Sequence, residues 1–218
     1  MIAVLDYGIG NLRSAQKGLE RVGADAMLTD DPEVVAAAEA VVLPGVGAFG
    51  RCMEALRSSG LEGPALAAID DGRPFLAICV GMQMLYEWSE EDPDVKGMGV
   101  LGGPVRLLPE GVKRPQMQWN QLDAVRPESP LLAGLDQPTW MYFVHSYSPE
   151  LGFEVVATCD YGGPVVAAVQ RGPLWATQFH PEKSGAAGLK ILANFVTAAG
   201  GAGAPPRRGG GDGAPAGA

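Results

Sequence analysis

Short apolar runs alternate with amphipathic stretches through the first ninety residues. Ile2 to Leu5 is an apolar run that stops at the turn residues Asp6-Tyr7-Gly8. From Asn11 to Val22 the positions Leu12, Ala15, Leu19 and Val22 recur at helical spacing, with Asn11 as N-cap and Gly23 as stop. The same reading predicts strands over 24–28, 40–43 and 75–78, a helix over 32–38, and another helix starting at Gly81 and running to Trp88. Phe49, Cys52, Met53 and Leu56 form one further helical face. Strands alternating with helices predict a parallel sheet covered on both sides.

The texture changes after Pro93. Strands are predicted over 105–108, 121–125, 140–145, 154–158, 165–170 and 174–178. Turns such as Gly162-Gly163-Pro164 and Arg171-Gly172-Pro173 separate several of them. A closing helix over 186–196 carries Leu189, Leu192, Ala193 and Val196. The fold class expected is therefore α/β: an open sheet, mostly parallel with antiparallel additions, with helices on both faces.

Composition narrows this picture. The chain has 218 residues, 47% apolar and 19% charged, which fits one globular domain. That domain is expected over residues 1–197. Residues 198–218 form a Gly/Ala/Pro-rich tail with no apolar anchor, expected to be disordered. The net charge of −9 speaks against a nucleic-acid role, since phosphate binding needs clustered Lys and Arg. No apolar stretch is long enough to span a bilayer and no signal segment is evident, so a cytoplasmic location is expected. The three cysteines are widely spaced and match no zinc-ligand pattern, so no metal and no cofactor are expected.

Chemistry concentrates in Pro74-Phe-Leu-Ala-Ile-Cys79-Val-Gly-Met-Gln83. A strand ends at Cys79 and a helix begins at once, with Ala77 and Gly81 small on either side. Small–x–Cys–x–Gly between strand and helix is a nucleophile-elbow pattern. It projects the thiol at the carboxyl edge of the sheet, near a helix N-terminus that favours thiolate. The amide of Val80 is then placed to stabilise an oxyanion. A single free cysteine is more often inert core, and Cys52 and Cys159 are read that way.

A thiolate mechanism needs a base and a group to orient it. His180 lies in Gln178-Phe-His-Pro-Glu182, at the end of a predicted strand. Pro181 favours an extended backbone at His180, and residues two apart in extended chain share a side. Glu182 can therefore hold the His180 ring. His145, inside Tyr142-Phe-Val-His-Ser-Tyr147 with no carboxylate beside it, is read as structural or substrate-lining.

Ala77-Ile-Cys79-Val-Gly81-Met-Gln83 together with Phe179-His-Pro-Glu182 resembles the class I glutamine amidotransferases. The segments Asp6-Tyr-Gly-Ile-Gly-Asn11, Leu43-Pro-Gly-Val-Gly-Ala-Phe-Gly50, Tyr142-Phe-Val-His-Ser-Tyr147 and His180-Pro-Glu-Lys-Ser-Gly185 are similar, within that family, to glutaminase subunits of imidazole glycerol phosphate synthase. The resemblance implies a Cys79–His180–Glu182 triad that hydrolyses glutamine. It implies ammonia passing to a (β/α)8-barrel cyclase subunit in a heterodimer, and a product in histidine biosynthesis. It makes Pro44-Gly45-Val46-Gly47 an oxyanion strand, in which the Val46 amide turns in to join that of Val80. It assigns Gln83, Ser146 and Tyr147 to substrate, and Asn11, Trp119, Asn120 and Lys183 to the partner interface. Ala77 stands where the family commonly has Gly, and Gln116 and Gln118 stand where this subunit often has His and Gly. The competing readings are the glutaminase of another synthase, such as pyridoxal phosphate synthase, a catalytically silent regulatory subunit, and a cysteine hydrolase of another amide.

Overall fold

The structure is a computed structural model that describes residues 1–200; the expected tail lies outside the described residues from 201 onward. The chain begins β1 (Ile2–Leu5), α1 (Leu12–Arg21), β2 (Ala26–Thr29), α2 (Pro32–Ala37), β3 (Ala40–Gly45), α3 (Phe49–Ser58), α4 (Glu62–Asp70), β4 (Phe75–Cys79) and α5 (Val80–Met84). It continues β5 (Trp88–Ser89), β6 (Pro104–Leu107), β7 (Gln116–Gln121), β8 (Asp123–Ala124), β9 (Trp140–His145) and β10 (Tyr147–Pro149). Last come β11 (Val155–Asp160), β12 (Pro164–Arg171), β13 (Leu174–Thr177) and α6 (Gly185–Ala198).

The main sheet has eight strands in the order β2-β1-β3-β4-β13-β12-β11-β8. From β2 to β13 the pairings are parallel, and β12, β11 and β8 add antiparallel strands at one side. Every residue of β1, β3, β4 and β13 is buried. That is why these strands read as unbroken apolar runs. Each fully buried Leu or Phe among them contributes roughly 1.5–3 kcal/mol of transfer free energy. Parallelism brings the carboxyl ends of β1, β3, β4 and β13 to one edge. The residues after them, Tyr7, Val46, Val80 and His180, gather there.

Several expected elements moved. The helix after Cys79 has five residues and stops at Met84 instead of reaching Trp88. Its continuation loses to the 97–101 loop, whose amides at Met98, Gly97 and Leu101 take the carbonyls of Met84, Glu87 and Leu85. Gly97 is essential to that approach, because a Cβ there would lie 2.0 Å from the Tyr86 carbonyl. The strand expected over 121–125 is split. Its place is taken by β7, which pairs antiparallel with β9 as a separate ribbon, and by the short β8. Helix α4 was not anticipated; its apolar content lacks a sharp helical stripe.

Candidate active site

Cys79 adopts φ 57° and ψ −114° and is the only non-glycine at positive φ among the described residues. A side chain held in such a region costs about 1–3 kcal/mol and persists only where the surroundings enforce it. The enforcement is visible. At Gly81 an added Cβ would sit 2.1 Å from the Leu43 carbonyl, and at Gly45 one would sit 2.4 Å from the Gly81 amide nitrogen. The elbow and the end of β3 are thus pressed together, backbone on backbone.

His180 follows β13 with an extended backbone, φ −97° and ψ 97°, as Pro181 favours. Its Nδ1 lies 2.8 Å from Glu182 Oε1, and both side chains are only 2% exposed. Ser184 locks the segment. Its hydroxyl donates to the His180 carbonyl at 2.6 Å and accepts from the Tyr142 amide at 3.0 Å. Gly18 of α1 lets that helix lie against Glu182, whose Cβ is 3.4 Å from where a Gly18 Cβ would be. Burial pushes the His180 imidazolium down, but Cys79 and Glu182 beside it outweigh this and raise it to about 9. Nε2 of His180 is buried without a hydrogen-bond partner, which leaves it free to exchange a proton with the Cys79 thiol.

Cys79 and His180 open into a cavity of about 240 Å³, shared with Gln83, Ser146, Tyr147 and Glu91. Larger clefts exist elsewhere, one of about 920 Å³ along α3, but neither cysteine nor histidine lines them. Gln83 donates to the Tyr147 carbonyl at 2.9 Å and to Gln178 Oε1 at 3.1 Å. His145 is locked at both nitrogens, Nδ1 2.9 Å from the Tyr147 carbonyl and Nε2 3.0 Å from the Gln116 side-chain amide. Burial is the main reason its basicity falls to about 4. Both nitrogens of the His145 ring are held against oxygens of the same chain, so the ring is not free to serve as the base. Gln116 is wholly buried behind that ring, so this departure from the family pattern bears on the site and not on the protein surface.

The end of β3 runs alongside the elbow. β3 and β4 pair Pro44 with Ile78 and Gly45 with Cys79. Pro44 has no amide hydrogen to donate to this ladder. The Tyr7 hydroxyl donates to the Pro44 carbonyl at this end of β3.

Two residues at the site were not singled out from the sequence. Gln178 is buried and its amide reaches Cys79 Sγ at 3.8 Å. Glu91 is the one cavity-lining carboxylate, and its Oε2 accepts from the Phe49 amide at 2.8 Å. Gln116, marked in the sequence only as a departure from the family pattern, also reaches the site at the His145 ring. Gln178 lies two residues before His180, so the extended-chain parity that paired His180 with Glu182 also points to it. Glu91 sits in a run of acidic residues that reads as solvated surface.

The residues expected to face a partner divide. Trp119 is half exposed on the β7–β9 ribbon, where Met117 and Trp140 are also exposed. Lys183 is exposed just after His180-Pro-Glu. Asn120 instead donates to the Asp160 carbonyl at 2.9 Å, which ties it to its own chain. Asn11 is half-buried at the start of α1 and makes no side-chain cap. Among the described residues no group of three or more His, Cys, Asp and Glu side chains could hold a metal ion, and no helix is long and apolar enough to cross a membrane.

Comparison with known proteins places the chain in one family. The family "Glutamine amidotransferase class-I" matches residues 3–199. The chain is 50% identical over 204 residues to "Imidazole glycerol phosphate synthase subunit HisH" of Syntrophotalea carbinolica, covering 89% of this chain and 98% of that one. It is 50% identical over 197 residues to the protein of the same name from Methanothermobacter thermautotrophicus, covering 90% and 98%. Among solved structures, a "glutamine amidotransferase" crystal structure superposes with a TM-score of 0.73 at 22% identity, covering 91% of this chain and 98% of that one, a likeness of fold.

Proposed function

Since the chain belongs to the class I glutamine amidotransferases, we propose that Cys79, His180 and Glu182 hydrolyse glutamine and that the ammonia passes to a (β/α)8-barrel cyclase subunit. The chain is then the glutaminase subunit of imidazole glycerol phosphate synthase, in histidine biosynthesis. The observation that carries this reading is the strained Cys79 elbow sharing one cavity with the buried His180–Glu182 pair.

The chemistry follows from the placement of the groups. His180 Nε2 takes the thiol proton as Cys79 Sγ bonds to the side-chain carbonyl carbon of glutamine. His180 returns that proton to the amide nitrogen, the C–N bond breaks, and ammonia departs from a thioester. Water then attacks with His180 as base, glutamate leaves and the thiol is regenerated. Glu182 holds the tautomer of His180 and stabilises the imidazolium. Glu91, with one oxygen spent on the Phe49 amide, offers the other to the substrate's ammonium. Ser146 and Tyr147 line the same end.

The oxyanion needs the amides of Val80 and Val46 together. From the register that pairs Gly45 with Cys79, we infer that the Gly45 carbonyl faces the Val80 amide. Rotation of the Gly45–Val46 peptide exchanges that carbonyl for the Val46 amide, and docking of the cyclase favours the rotated form. The exposed Met117, Trp119 and Trp140 of the ribbon give the docking its apolar anchors, with Lys183 and Asn11 alongside. The deciding assay is glutamate release from glutamine by the chain alone and with the cyclase subunit and its ribonucleotide ligand. Low activity alone and strong stimulation by the cyclase are expected. Good activity without any effect of the cyclase would keep the glutaminase and remove the partner.

A further inference from the structure

Two buried side chains that take no part in the chemistry above tie down the oxyanion segment on either side of its mobile peptide. Tyr7, just past β1, donates its hydroxyl to the Pro44 carbonyl at 2.6 Å. Cys52, on α3 and wholly buried, directs its thiol to the Val46 carbonyl at 3.3 Å, within reach of an S–H donor. Neither side chain lines the glutamine cavity.

The two carbonyls belong to the Pro44–Gly45 and Val46–Gly47 peptide units. Between them lies the Gly45–Val46 unit. A planar peptide turns over by opposed changes in the ψ before it and the φ after it, leaving its neighbours in place. The ψ concerned is that of Gly45, the least restricted residue type. With both flanking carbonyls held, the unit free to turn is the one that carries the Val46 amide.

We propose that Tyr7 and Cys52 are positioning residues that clamp the oxyanion segment at Pro44 and Val46, confining its motion to rotation of the Gly45–Val46 peptide. Without the clamps the segment shifts as a loop, and the Val46 amide no longer arrives beside that of Val80. This inference rests on the glutaminase reading.

The test uses the full chain with the cyclase subunit and its ribonucleotide ligand, and measures kcat and KM for glutamate release. Tyr7→Phe and Cys52→Ala each lower kcat about tenfold, a fraction of the 10²–10³ lost when an oxyanion donor is removed outright. KM for glutamine stays within about twofold in both, because the cavity is untouched. Cys52→Ser restores kcat to within about threefold, since its hydroxyl can donate to the Val46 carbonyl. Thermal melts establish that each variant is folded; if Cys52→Ala fails to fold, Tyr7→Phe, which removes one oxygen, decides alone. Wild-type kcat in the folded variants, or a loss in Cys52→Ala that Ser does not relieve, overturns the clamp and leaves the glutaminase standing. A wild-type chain that releases no glutamate with the cyclase overturns both.

Discussion

The parallel strands and the β7–β9 ribbon treat their side chains in opposite ways. β1, β3, β4 and β13 bury every residue, and their carboxyl ends hold Cys79 and the His180 segment at fixed separations. The ribbon buries one face, with Met141, Phe143 and His145 beneath, and leaves Met117, Trp119 and Trp140 in the open. A sheet covered on both sides can enforce a strained elbow because nothing nearby can relax. A ribbon with one bare face contributes little to its own stability and is available to another surface. The chemistry lies in the first region and the proposed control in the second. They meet where the Cys79 thiol points at the Val144 carbonyl of β9, 3.8 Å away.

The comparison breaks most sharply at the nucleophile. Cys79→Ser lowers glutamate release by about 10³-fold or more in the presence of the cyclase, since a serine hydroxyl at the proposed nucleophile position is far less nucleophilic than a thiolate. Because the strain belongs to the backbone, Cys79→Gly is more stable in urea than Cys79→Ala by about 1 kcal/mol. Equal stabilities would mean that the elbow is not strained.

Removing the charge behind the base comes next. Glu182→Gln lowers kcat by about 10²-fold or more, and it changes the pH dependence of stability. His180 is raised from 6.5 to about 9, so its contribution is complete below about pH 6.5 and is lost as the pH rises through 9. His145 runs the other way. Lowered from 6.5 to about 4, it contributes fully above about pH 6.5 and loses this as the pH falls through 4. Urea midpoints across pH 4–10 read both limbs. Glu182→Gln flattens the alkaline limb and leaves the acid one; flattening of both would mean that the two histidines are coupled through the fold.

Packing of the covered region is tested at Gly81. Gly81→Ala places a methyl 2.1 Å from the Leu43 carbonyl and costs about 3 kcal/mol in stability. The ribbon responds differently. Trp119→Ala and Trp140→Ala change stability by no more than about 0.5 kcal/mol but weaken cyclase binding about tenfold each, measured by titration calorimetry. A large loss of stability with unchanged binding would reverse the roles assigned to the two regions.

What was legible in the sequence follows the same division. The runs Ile2–Leu5 and Phe75–Cys79 announced themselves because both faces of a central parallel strand are apolar. The elbow was legible from Ala77, Cys79 and Gly81, and the orienting carboxylate from the two-residue spacing of His180 and Glu182. The ribbon was misread because Gln116-Met-Gln-Trp-Asn-Gln121 alternates polar with apolar residues whose apolar side faces outward, the reverse of a half-buried strand.

The amino-acid sequence by itself determined the alternation of strands and helices in the first ninety residues apart from α4, and the proposed nucleophile, its base and the carboxylate behind it. Each of these depends on sterics and spacing within a few residues. Only the tertiary structure decided that Glu91 and Gln178 reach the cavity, that Gln116 locks His145, and that the α5 helix ends after five residues. It also set Gly45 opposite Cys79 beside the elbow. These outcomes join positions tens of residues apart, where hydrogen-bond partners and close backbone contacts are chosen by how the sheet and its loops pack and leave no local trace along the chain.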